Sequence, residues 1–128
     1  MEIPAVIREF VDAISNADGE RAGRFVSDDA SFRLPGDREL PAGQAGAGAF
    51  AAKHAESDGR KASVVLVGAE PRSNHRWVAS LRFSSRELGS DELLYEMTVG
   101  GVFTLRGERI LALEAYPSYE EAVTAMSD

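Results

Sequence analysis

Asp28 with Asp29, His54, His75, Tyr95, Glu96 and Glu114 are the side chains with which this sequence could do chemistry. A paired-carboxylate site needs two acids that converge on one substrate atom. Asp28 and Asp29 are adjacent, and neighbours in a strand face opposite ways, so a turn or cap role suits them better. His54 ends a predicted helix, where a cation suits the dipole, and reads as a surface residue. His75 falls in the turn Arg72–Arg76. Two histidines this far apart, with no cysteine in the chain, make no metal site. Glu96 and Glu114 share the polar parity with Arg82 and Arg86, which reads as cross-strand ion pairing on an outer sheet face. Tyr95 is the best candidate for a hydrogen-bond donor in a pocket; the competing reading is a half-buried core tyrosine whose hydroxyl is satisfied. The glycine-rich stretch from Gly43 to Gly48 lacks the Lys-Ser/Thr of a phosphate loop and follows no long strand.

Composition narrows the field further. The chain has 128 residues and a formal net charge of −7. That length predicts one domain, 1–128, and that charge disfavours a nucleic-acid or anionic-membrane partner, whose affinity comes from phosphate neutralisation. With no cysteine there is no disulfide framework and no thiolate nucleophile. No apolar run approaches the ~20 residues that cross a bilayer. Met1-Glu2-Ile3-Pro4 carries no basic n-region. The expectation is a cytoplasmic protein without a cofactor.

The elements that must position these residues follow from periodicity. Val6, Ile7, Phe10, Val11 and Ile14 fall on one face of a helix over 3–17. Asp18 caps a short second helix over 20–25. A short strand over 31–34 stops at Pro35-Gly36, a loop rich in Gly, Pro and Ala runs over 37–48, and a weak helix covers 47–54. The second half changes period. The valine-rich run 62–67 reads as a buried strand, and 76–85, 93–105 and 110–116 alternate as further strands. Gly100-Gly101 interrupts the third of these, where a bulge or bend is expected to let the sheet curl around the first helix. Ser118 with Glu121 forms a capping box for a last helix. Helices followed by an antiparallel meander make an α+β domain.

Such a sheet has one apolar face, and covering it with helices leaves a concave interior suited to a ligand. The inward parity supplies Phe10, Ile14, Leu34, Phe50, Trp77, Leu81, Tyr95, Met97, Val99 and Leu113 as candidate ligand-binding residues, with Ala115 beside them. Only Tyr95 and Trp77 bring polar atoms. A charged ligand would find no partner there, so a small apolar neutral molecule is the expected occupant.

Asp28-Asp29-Ala30, the segment Gly43 to Phe50, the segment Phe103 to Ile110 and the tail Glu114 to Ala122 resemble the family of nuclear transport factor two, ketosteroid isomerase and the SnoaL polyketide cyclases. The resemblance spans nearly the whole chain. It implies a cone-shaped, curved antiparallel sheet wrapped around N-terminal helices, and a homodimer through the outer sheet face bearing Val78, Ser80, Arg82, Ser84, Glu96 and Thr98. It also implies where an isomerase would keep its groups: the base position falls on Leu34, the tyrosine on Phe10 and the oxyanion aspartate on Gly100 or Gly101. All three groups are missing, so the chain is not a ketosteroid isomerase of that type. Two functions follow as expectations. One is a non-catalytic binder of a small molecule; the other is a SnoaL-type lyase, isomerase or cyclase with a relocated acid–base group. An inward carboxylate or histidine with a perturbed pKa separates them, and parity alone supplies none.

Overall fold

Helix α1 (Ala5–Ser15) forms where the apolar spacing places it. The computed structural model describes residues 2–36, 38–73 and 75–126. Asp37, first residue of the predicted loop, Asn74 in the predicted turn, Met1 and the last two residues lie outside them. Pro4 stands just before α1, and its carbonyl accepts from the N–H groups of Ile7 and Arg8. Ile7, Phe10 and Ile14 are at most 1% exposed, and burying each contributes roughly 1.5–3 kcal/mol. Asp18 caps α2 (Gly19–Gly23) by accepting from the Arg21 N–H at 3.1 Å.

A six-stranded open sheet follows, in the order β2-β1-β6-β5-β4-β3. Its members are β1 (Val26–Leu34), β2 (Arg38–Leu40), β3 (Arg60–Arg72), β4 (Arg76–Glu87), β5 (Leu93–Arg106) and β6 (Arg109–Tyr116). All neighbours run antiparallel except β1 and β6. The sheet curves, and α1 and α3 (Gly43–Ala52) pack into its concave side. The expected α+β cone is therefore the observed one.

Three local expectations are corrected. The segment expected as a loop over 37–48 contains β2 and the first half of α3. Its glycines are points of close contact. A Cβ on Gly46 would run into the Pro41 carbonyl and the Phe32 ring, and one on Gly43 into the Asp28 carbonyl. Asp28 and Asp29 lie inside β1, exposed, with Asp29 accepting from the Ser27 hydroxyl at 3.0 Å. Neither is a turn or cap residue. Gly100 and Gly101 make no bulge: they pair in unbroken register with Ser80 and Ala79. The register shifts lie at Val26/Ser31, Leu66/Gly68, Ser85/Arg86 and Thr104/Leu105 instead. What Gly100 permits is the approach of α4 (Tyr119–Ala125), because a Cβ there would collide with the Ser118 carbonyl.

Ser118 caps the last helix as read. Ser118 Oγ accepts from the Glu121 N–H at 3.1 Å and donates to its carboxylate at the same distance. Helix α4 lies on the convex face and buries Val78 and Val102 against Ala122. Val78 is thus interior, while Arg82, Glu96 and Thr98 stay exposed. Glu114 pairs with Arg33 of the parallel neighbour at 3.8 Å, a partner the alternation of the hairpins could not supply. Among the described residues no helix is long and apolar enough to cross a membrane.

Candidate ligand-binding site

The concave face has two ends, and they differ in filling. At the narrow end α1 presses its apolar stripe onto the sheet. Phe10 stacks on Phe32 at 6.4 Å and meets Phe103 edge-on at 6.2 Å. Phe10, Ile14, Leu81 and Leu113 border a void of about 10 Å³ there, too small for a ligand. Trp77 pairs with Phe103 across β4 and β5 and packs against the same core.

The wide end is hollow. Beyond the last turn of α3 a cavity of about 400 Å³ opens to solvent. The end of β1 and the start of β2 supply Leu34, Pro35 and Arg38. Helix α3 and the turn that ends it supply Phe50, Lys53 and His54. The strands close it with Ala62, Phe83, Ser85, Tyr95, Met97, Val99 and Ala115. Of the predicted inward set, Leu34, Phe50, Tyr95, Met97 and Val99 meet at this cavity. Phe10, Ile14, Leu81 and Leu113 belong to the packed end, and Trp77 packs against its core. The isomerase positions divide likewise: Leu34 stands on the cavity wall, while Phe10 and Gly101 are buried in packing.

Tyr95 is 53% exposed, so it stands at the mouth rather than in the core. Its hydroxyl contacts the Met97 sulfur.

His54 is the correction that matters for function. Expected on the surface, it is 2% exposed and part of the cavity wall. Its ring packs against those of Phe50 and Phe83, with centroids 5.8 and 5.7 Å away. Nδ1 is 3.2 Å from the Phe50 carbonyl, which only accepts, so Nδ1 carries the proton and Nε2 has the free lone pair. Among the described residues nothing bonds Nε2. Burial lowers the His54 pKa; the Phe50 carbonyl opposes this, and Lys61 and Lys53 add to the lowering. The imidazole is therefore neutral at pH 7 and able to accept a proton.

Lys61 fixes this corner. Its Nζ donates to the carbonyls of Ser15, His54 and Ala62 at 2.7 Å each. Those of Ser15 and His54 lie at the C-terminal ends of α1 and α3, where intrahelical partners run out and a cation meets the negative end of the dipole. Neither helix has a basic residue in its own last turn. Ser15 Oγ also accepts from the Val64 N–H at 3.0 Å, tying α1 to β3.

Arg38 and Lys53 are the charged residues of the lining, and inward parity did not supply them. Both lie on the cavity wall, and no ion pair holds either one among the described residues. Partial burial lowers the Lys53 pKa, and the positive charge of Arg38 adds to the effect. No described aspartate or glutamate lines the cavity.

No protein-family description and no curated protein matches the sequence. Solved structures do match the architecture. A hypothetical protein with a ketosteroid isomerase-like fold from Catenulispora acidiphila, crystallised with trimethylamine, superposes with a TM-score of 0.72 at 15% identity, over 98% of this chain and 94% of that one. An LEH-like epoxide hydrolase from M. tuberculosis gives a TM-score of 0.68 at 15% identity, over 95% of this chain and 86% of that one. A candidate polyketide cyclase from Xanthomonas campestris gives 0.68 at 16% identity, over 96% and 95%. The likeness is one of architecture, and by it this chain has the ketosteroid isomerase-like fold shared by nuclear transport factor two-like and SnoaL-like proteins.

Proposed function

We propose that this protein binds a small, mostly apolar molecule in the open cavity at the wide end of its cone. The observation that carries this reading is the contrast in filling: one concave face, packed solid beneath α1 and hollow beyond α3. Apolar walls with a few polar groups are what a small-molecule site needs. A ligand that buries about 150 Å² of apolar surface there gains on the order of 4 kcal/mol before the entropy of association is subtracted. Leu34, Phe50, Met97 and Val99 supply that surface, and His54 with Tyr95 can orient the ligand by hydrogen bonds.

A second reading rests on His54 alone. In a SnoaL-type lyase, isomerase or cyclase, a neutral imidazole on the cavity wall would take a proton from the substrate through Nε2 and return it elsewhere. A binder uses the same atom only as an acceptor. The Catenulispora protein, of the same fold, holds trimethylamine; a compact organic molecule is the size of occupant proposed here.

Calorimetric titration with a panel of compact aromatic and alicyclic molecules tests the main reading. Wild type is expected to bind members of the panel saturably, and Leu34→Trp, which projects an indole into the cavity, to bind none while folding normally. Equal binding by the two proteins would place the site elsewhere. Replacing His54 with Gln separates the readings, since it abolishes turnover in an enzyme and merely weakens binding otherwise.

A further inference from the structure

We propose that the occupant of this cavity is an amphipathic anion, an apolar body with one carboxylate that Arg38 and Lys53 hold at the rim. The inference rests on the reading of the cavity as a ligand site and names the chemistry of its ligand.

The chain carries 21 acidic and 14 basic residues, so a cation chosen blindly has carboxylates to spare. Five arginines, Arg8, Arg21, Arg24, Arg33 and Arg72, each pair with a carboxylate within 4.0 Å. Arg38 and Lys53 instead share one cavity wall, without an ion-pair partner and without an acid among the described lining residues. In a protein of net charge −7 this is a local reversal of sign. A cleft lined by one sign and walled by apolar side chains concentrates the opposite charge. The adjoining groove shares Lys53 and adds Arg60, with a single acid, Asp58.

Two like charges near one apolar surface disfavour each other, and the lowered pKa of Lys53 records both its partial burial and the nearness of Arg38. A carboxylate between them removes that repulsion and accepts charge-assisted hydrogen bonds from both. The body of the same ligand then lies inward over Phe50, Met97 and Val99. A neutral molecule would use the walls and leave the cations unanswered; an amine would be repelled by them.

The test is a calorimetric titration at pH 7.5 with three probes of one shape: 4-phenylbutyrate, 4-phenylbutanamide and 4-phenylbutylamine. The carboxylate is expected to bind about tenfold more tightly than the amide, the size of one charge-assisted contact, and the amine least. Arg38→Gln and Lys53→Gln should each erase most of the carboxylate's advantage over the amide. Equal affinity for carboxylate and amide overturns the anion assignment while the cavity reading stands. An equal loss of both probes in the two variants overturns the role given to these cations. Absence of binding for all three probes overturns the inference and the cavity reading together.

Discussion

Phe103 and Met97 stand on the same strand, on the same face, six positions apart, and their surroundings have nothing in common. Phe103 is fully buried against Phe10, while Met97 is 40% exposed on the wall of the wide cavity. The alternation of β5 points both inward, because alternation reports only which face a residue occupies. Whether that face becomes core or pocket depends on what covers it. Helix α1 covers the narrow end. Helix α3 stops at Ala52, and beyond it the concave face borders the open cavity.

The strongest way to break this comparison is to make the same kind of change at both ends. Phe103→Ala should cost about 3–5 kcal/mol, the transfer of a ring plus the cavity left behind. Met97→Ala should cost about 0.5 kcal/mol, because its side chain borders space already open. Urea denaturation of the two variants reads both numbers, and similar losses would mean that the wide end is packed like the narrow one.

Lys61 joins the two ends. Lys61→Met should cost about 2 kcal/mol, since three carbonyls lose a charged donor at once. It should also change amide exchange first at the ends of α1 and α3, where Ser15 and His54 lose that partner. Uniform exchange across the molecule would deny Lys61 its role as a local clamp.

The pH dependence of stability sharpens the contrast further, because His54 titrates inside the wall. Its folded pKa lies below the ordinary 6.5, so the unfolded chain takes up the proton first as pH falls. Stability is then unaffected by this group above about pH 6.5 and declines below it, until the folded pKa is passed. Urea midpoints measured from pH 7.5 to 5 should fall more for wild type than for His54→Phe. Matching slopes would show that His54 keeps an ordinary pKa.

Much of the scaffold was legible because it is local. The stripe of α1, the alternation of β4 to β6 and the Ser118 box are set by neighbours within a few residues, and each formed close to where the pattern places it. Helix α3 was not legible at its start. Gly43 and Gly46 look like loop residues until one sees that Asp28 presses against the first and Phe32 against the second, contacts made by distant chain. His54 was legible in principle. It follows Phe50 by four residues, and positions four apart share a helix face, so an inward Phe50 brings His54 inward with it. Reading the histidine as a helix-end cation hid that consequence. Arg38 offered no such signal, because its place on the wall depends on the pairing of β2 with β1 at the edge of the sheet.

Methyl-selective NMR on the Leu, Val, Ile and Met residues, titrated with 4-phenylbutyrate, tests the division of the cone most directly. Resonances of Leu34, Met97 and Val99 should move together and saturate, while those of Ile14 and Leu113 hold still. In Leu34→Trp all of them should stay fixed. Saturable shifts centred on Ile14 and Leu113, or shifts that persist in Leu34→Trp, would contradict the assignment of the ligand site to the wide end.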